Sequence, residues 1–329
     1  MQTKTVAGRT WHFSHPIGWL SGRGRGFIHP SSVAITSGGV IHVLNSRGKV
    51  APPITVLTIE EEYLGEFGEG DFTWPNGLAV DQDGNVYCAD GFENFVNVYN
   101  PDGELLAKWG EYGTEEGLLN RPAGLAFDSD ENLWVVDSEN GRVQQFTKDG
   151  QFLKTFGTKG SEEGEFSRPW GITIDRDGDV YVADWGNDRV QKFSRDGEYR
   201  GRFGSTFDDG GLLSKPSDVA VDSQGDVYVT DWGNDRVQIY YPDGDIIAGL
   251  YGDARRFSKW GQDFMDSNPD YQKAFHRVAP DEMVTLGHFR RPAGVAIDDQ
   301  DRIVITDGIR CRLQIYQKDK DYLEPQFNL

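Results

Sequence analysis

Cysteine is almost absent from this chain: 329 residues contain two, Cys88 and Cys311, far apart and with no CxxC pair. A disulfide scaffold is thereby excluded. Long apolar runs are missing too. No window approaches 18 apolar residues, so no transmembrane helix is expected. The opening Met1–Thr10 has no apolar core of a signal peptide, which makes the cytoplasm the default location. Basic charge is scarce, with 33 Lys and Arg against 53 Asp and Glu and a net charge of −20. That balance argues against nucleic acid as a partner, because phosphate neutralisation needs clustered cations. It also predicts repulsion from anionic membrane surfaces. Acid is itself missing from one stretch: the first 59 residues hold no Asp or Glu but do hold Lys4, Arg9, Arg23, Arg25, Arg47 and Lys49. The charge is polarised along the chain.

What is present is a repeat. Arg121-Pro-Ala-Gly-Leu-Ala-Phe-Asp returns as Arg168-Pro-Trp-Gly-Ile-Thr-Ile-Asp, Lys215-Pro-Ser-Asp-Val-Ala-Val-Asp and Arg291-Pro-Ala-Gly-Val-Ala-Ile-Asp. Earlier copies open at Trp74 and, more worn, at His29. The prolines stand at 30, 75, 122, 169, 216 and 292, so six units of about 47 residues are interrupted by one insertion of 29 after the fifth. Each unit reads as four short strands. In the fourth, Val180–Asp184 and Arg189–Phe193 are runs rich in β-branched and aromatic residues, and Asp-Gly turns separate such runs. Four antiparallel strands at this period describe a propeller blade. The expected fold is an all-β, six-bladed propeller forming one domain over 1–329, with a helical insertion at 253–289. Residues 1–10 are expected to supply the strand that closes the last blade, on the likeness of Lys4-Thr-Val-Ala-Gly to Lys154-Thr-Phe-Gly. Tyr322–Leu329 is the competing closure, with Pro325 against it.

Asp184-Trp-Gly-Asn-Asp-Arg-Val-Gln and Asp231-Trp-Gly-Asn-Asp-Arg-Val-Gln, following the Arg-Pro-x-Gly openings, resemble the NHL repeat over residues 29–317. The resemblance implies the propeller but not one function, since such propellers include RNA-binding domains, scaffolds, sensors and a few enzymes. RNA-binding members use a basic face that this acidic chain lacks. Peptide-amidating lyases have related repeats with metal-binding histidines after the blade prolines. Here Ser31, Asn76, Ala123, Trp170, Ser217 and Ala293 stand there, so that zinc site does not carry over. Arg47 is loosely similar to a catalytic arginine of those lyases. Gluconolactonase-like propellers hold a divalent ion with carboxylate and amide ligands. By that resemblance Asn76 and Asp218 are the candidate ligands for one divalent cation, Ca or Zn.

Propeller geometry brings the blade-to-blade linkers and the loops after each second strand to one face, and the departures from the repeat collect there. The insertion carries a helix start at Asn268-Pro-Asp and an apolar stripe Tyr271, Phe275, Val278, with a second stripe Phe257, Trp260, Phe264. It is expected to form a lid over the channel mouth; bracing of the last two blades or a dimer contact are the alternatives. Arg23 and Arg25 replace repeat glutamates, and with Arg255 and Arg277 they suit an anion. His276, Arg277 and Arg47 are the catalytic candidates; Arg23, Arg25, Arg255, Trp170 and Trp185 are the ligand-binding ones. His12, His15, His29 and His42 lie early and His276 and His288 late, so all six are expected in one sector, with His42 packed between blades. The recurring Asp90, Asp137, Asp184, Asp231 and Asp307 are read as caps of the turns that follow them. Arg142, Arg189, Arg236 and Arg312 are read as pairing between blades, and Cys311 as an exposed loop residue. The resulting expectation is a binder of a small anionic ligand that acts on it as a lyase or hydrolase, with a non-catalytic protein scaffold as the alternative.

Overall fold

A computed structural model describes residues 2–6, 8–46, 51–204, 212–278 and 286–320, with side chains of the last helix described as far as residue 274. Each repeat folds into one antiparallel sheet. In the fourth blade Ile172–Ile174, Val180–Asp184, Arg189–Phe193 and Tyr199–Phe203 run in order from the axis outward. Second strands such as Leu133–Asp137 and Val227–Asp231 are buried along their whole length, because neighbouring blades cover both faces. That explains why they read as continuous apolar runs rather than alternating ones. The outermost strand, Leu105–Trp109 in the second blade, is mostly exposed. The turn between the first two strands is set by Asp175, whose Oδ1 accepts the N–H groups of Asp177 and Asp179 at 3.0 and 2.9 Å. Gly178 supplies the left-handed residue there, at φ +84°.

The core lies between blades rather than inside them. Tyr87 and Val98 of the second blade pack with Leu133 and Phe146 of the third in one cluster, and similar clusters recur around the ring.

The ring closes through the N-terminus, but further along the chain than 1–10. Arg9–Ile17 is the fourth strand of the sixth blade, pairing with Arg312–Lys318 from Trp11 opposite Lys318 to Ile17 opposite Leu313. Thr3–Val6 folds back on it as a fifth strand, a hairpin that the likeness to Lys154–Gly157 did not reveal. The rival closing segment 322–329 lies outside the described residues. Closure is fastened by a buried network. Lys318 Nζ reaches Asp222 Oδ2 at 2.5 Å and Asp226 Oδ2 at 2.7 Å, both in the first turn of the fifth blade. Arg9 also donates to Asp226, Tyr228 donates to Asp222 at 2.9 Å, and Trp11 Nε1 donates to the Tyr228 hydroxyl at 2.8 Å.

Within the insertion lie the helices α1 (Lys259–Ser267) and α2 (Pro269–Val278), with 279–285 outside the described residues. Ser258 caps α1 by accepting from Gly261 N, and the Glu61 carboxylate accepts from Lys259 N and Trp260 N at 2.6 and 3.2 Å. Glu61 belongs to the outer hairpin turn of the first blade, so α1 is moored to the rim where blades six and one meet. Its aromatic stripe finds partners there: Trp260 lies 6.0 Å from Phe27, and Trp19 stacks on Phe264 at 5.6 Å with Phe257 edge-on at 5.4 Å. Among the described residues, none of 253–289 lines the channel mouth. The described part of the insertion is therefore a brace at the seam, packed on the linker that carries Trp19 and Phe27, while 279–285 and the side chains of 275–278 lie outside the described residues.

Candidate functional site

The mouth opens on the linker face as a cavity of about 410 Å³. Its walls come from the same repeat positions in successive blades. Trp185 and Trp232 open the short 3-10 turns after two second strands, Trp74 stands before a blade proline, and Trp170 stands after one. Arg121, Arg168 and Arg291, each before a blade proline, join them in the lining. Cation and ring are paired across blade boundaries. The Arg121 guanidinium lies 4.8 Å from the Trp74 ring, Arg291 lies 4.4 Å from Trp232, and Lys215 Nζ lies 5.0 Å from Trp185. Arg168 instead faces Glu139, at 3.7 Å, a carboxylate that Arg121 also approaches at 3.4 Å. The backbone of these cations is fixed as well: Arg121, Lys215 and Arg291 donate their N–H groups to Asn94, Asp188 and Asp235 of the preceding blade. Among the described residues, Glu139 is the one acid in this lining. In a chain of net charge −20, the mouth is a basic, aromatic exception.

The recurring aspartates hold the loops beneath it. Asp184 Oδ1 accepts from Ser167 N, seventeen residues back, at 2.7 Å; Oδ2 accepts from Asn187, Arg189 and Gln191 at 2.8, 2.9 and 3.3 Å. Asp137 follows the same pattern, Asp231 and Asp307 share its core, and burial raises the pKa of all four from the usual carboxylate value. So they tie each loop to the linker entering its blade rather than capping the following turn. Only Asp90 caps the following turn, accepting from Phe92 N and Glu93 N. The arginines expected to bridge blades pair inside their own: Arg142 with Asp137, Arg189 with Asp184, Arg236 with Asp231 and Arg312 with Asp307.

Below the mouth, the inner strands enclose a channel cavity of about 390 Å³. Among the described residues, Asp218 is the one ionisable side chain in its lining, and it occupies the position held by Gly77, Gly124, Gly171 and Gly294. Glycine is common there because blades nearly touch: a Cβ on Gly124 would stand 2.5 Å from the Trp170 carbonyl. The Asp218 carboxylate accepts from Val219 N and Val295 N, both at 3.0 Å, and burial pushes its pKa up to about 7. A carboxyl with a raised folded-state pKa holds a proton that the unfolded chain releases, so it favours the fold most below about pH 4. That contribution is lost as pH rises to about 7. Thermal melts of the wild type and Asp218→Asn across this range test it. The variant should gain on the wild type with rising pH, and a difference independent of pH would contradict the assignment.

The sequence candidates divide. Trp170 and Trp185 line the mouth. Arg23 pairs with Glu69 and Arg25 lies 3.8 Å from Asp263, both on the exposed rim, and Arg255 is exposed on the insertion. Arg47 lies outside the described residues, as do the side chains of His276 and Arg277. Asn76 is buried and donates to the Pro122 carbonyl at 3.1 Å, lining neither cavity. It therefore does not converge with Asp218, whose two oxygens already accept backbone N–H groups, and this pair does not fit a divalent ion. The histidines of strands Arg9–Ile17 and Ile41–Asn45 do lie in blades six and one, but they do not converge: His12 meets Asp319, His15 meets the Ile59 carbonyl, and His42 is buried beside Phe67 with its pKa lowered to about 4 by burial. Cys311 is buried rather than exposed. Among the described residues, the acidic group Asp81, Asp83 and Glu131 could hold a metal ion by spacing, but Lys148 already sits among the three.

The mouth arginines were legible as letters but hidden as a site, because they repeat. The signal was variation at that position on one face: His29, Trp74, Arg121, Arg168, Lys215, Arg291.

Comparison with known proteins agrees with this architecture. The NHL repeat family model matches residues 119–146, 166–193, 213–240 and 289–316. Four of the six blades of this propeller therefore carry NHL repeats. No curated protein sequence matches it. Among solved structures, a streptogramin B lyase superposes with TM-score 0.60 at 10% identity, covering 96% of this chain and 100% of the other. A virginiamycin B lyase from Staphylococcus aureus with quinupristin gives 0.57 at 15%, over 95% and 93%. A gluconolactonase from Xanthomonas campestris gives 0.61 at 15%, over 97% and 99%. At such identities these likenesses concern the fold. No described helix is long and apolar enough to cross a membrane.

Proposed function

We propose that this NHL propeller binds a small anionic ligand with an apolar or aromatic body in the linker-face mouth. The observation that carries the reading is the ring of tryptophans and arginines around a cavity of about 410 Å³ in a strongly acidic chain. The volume is ordinary for a small-molecule pocket, for which about 300–1,000 Å³ is usual. Guanidinium groups would take the anion and the indole faces its planar body. Two of the proteins sharing the fold are named for action on small molecules, a streptogramin and a gluconolactone, which favours the same class of ligand here. If the bound ligand is turned over in a lyase or hydrolase reaction, Glu139 and His29 are the mouth groups able to exchange a proton.

Phe92 and Tyr112, 61% and 65% exposed on the same face, favour a second reading in which a protein partner docks there without chemistry. Calorimetric titration with naphthalene-2-sulfonate separates the two. One equivalent should bind, and Arg121→Gln with Arg168→Gln should weaken it at least tenfold, about 1.4 kcal/mol. Equal binding of naphthalene-2-methylammonium, or indifference to the arginine changes, would refute the small-anion reading.

A further inference from the structure

A further cavity, of about 260 Å³, lies between the insertion and the loop of the sixth blade. The repeat does not build it; its outer wall is the one segment that the other blades lack. Trp19, Leu20, Phe257, Tyr271 and Ile309 form its apolar surface. Leu20, Tyr271 and Ile309 remain 61%, 50% and 39% exposed although they gather around one hollow, an arrangement that costs solubility unless something covers it.

The polar part of the lining is cationic. Arg256, Arg310 and Arg312 contribute to it, and no Asp or Glu does among the described residues, in a chain with 53 of them. Arg312 is committed to Asp307 and to the carbonyls of Leu286, Gly287 and His288. Arg256 is exposed and, among the described residues, donates from Nη2 to the Ser14 carbonyl at 3.3 Å, so its guanidinium keeps donors to offer.

We propose that this cleft is a second binding site, distinct from the mouth, for an amphiphilic carboxylate: a short acyl or aryl chain against Trp19, Leu20 and Tyr271, its carboxylate at Arg256. The size sets the chain length. The cleft is smaller than the mouth, so a short chain on the scale of octanoate suits it. Ile309 lines both cavities, so occupancy of the cleft bears on the wall of the mouth without using the mouth's own cations.

Octanoate and octylammonium, titrated by calorimetry into the full chain, test the proposal. Octanoate should bind with one equivalent and octylammonium should not. Arg256→Glu and Tyr271→Asp, both at exposed positions, should each weaken octanoate at least tenfold with the thermal midpoint unchanged. The mouth pair Arg121→Gln with Arg168→Gln should leave octanoate binding as it is. No octanoate binding, equal binding of both amphiphiles, or retention of binding in Arg256→Glu and Tyr271→Asp would each overturn the second site. Loss of octanoate binding in the mouth pair alone would also overturn it and assign the anion to the mouth.

Discussion

Replacing Lys318 by alanine should cost about 3–5 kcal/mol of unfolding free energy, the range for removing one partner of a buried ion pair. Its ammonium is 1% exposed and lies between two carboxylates, Asp222 and Asp226, that are fully buried. Arg9 remains beside Asp226 after the change, so the charge left bare is chiefly that of Asp222, which also accepts the Tyr228 hydroxyl. The damage would reach the seam, because Tyr228 is bonded to Trp11 of the closing strand. Lys148 provides the control. It occupies the same place in the third repeat and touches Asp81, Asp83 and Glu131, but its side chain is 29% exposed. Water screens that cluster, so Lys148→Ala should cost about 1 kcal/mol or less. Urea unfolding of the two variants distinguishes burial from contact number as the cause. Equal losses would show that the closure network has no special weight.

Asp184→Ala should be destabilising by a similar amount, again about 3–5 kcal/mol, for a different reason. Here the orphan is the cation. Arg189, 8% exposed, would keep its bonds to the Glu162 and Glu165 carbonyls but lose the carboxylate it is paired with, while Ser167 N loses its acceptor and Asn187 keeps only the Gly160 carbonyl. Arg189→Met added to Asp184→Ala removes the uncompensated charge and should recover part of the loss. The loop that Asp184 holds begins with Trp185, so the single variant should also loosen one wall of the mouth and weaken naphthalene-2-sulfonate. Chemical denaturation and calorimetry on the same samples check both effects. Full stability in Asp184→Ala would contradict the role given to the recurring aspartates.

The blades were readable because a propeller repeats its instructions: buried second strands and a proline at each entry recur in every blade, and Asp-Gly turns mark blades two to five. The seam was not readable in the same way. Arg9–Ile17 has no counterpart whose letters match, and its partner strand lies some 300 residues away, so register depended on contacts that no local pattern encodes. The insertion's aromatic stripe announced an apolar face, but whether it would cover the mouth or the rim turned on Trp19 and Glu61, both distant in sequence. For the candidate site the difficulty was opposite. Arg23 and Arg25 drew attention by breaking the repeat and prove to be rim residues paired with acids, whereas Arg121, Arg168 and Arg291 keep the repeat and line the cavity. A symmetric fold can build a site from its commonest letters, since six equivalent positions converge on one axis.

The central claim is electrostatic: an acidic protein that presents a cationic, tryptophan-lined mouth. Quenching of tryptophan fluorescence by iodide and by caesium at equal ionic strength measures it directly. Net charge alone favours caesium. The structure predicts that iodide quenches more strongly, and that Arg121→Gln, Arg168→Gln and Arg291→Gln together abolish the preference. Stronger quenching by caesium in the wild type, or an iodide preference that survives loss of the three arginines, would contradict the account.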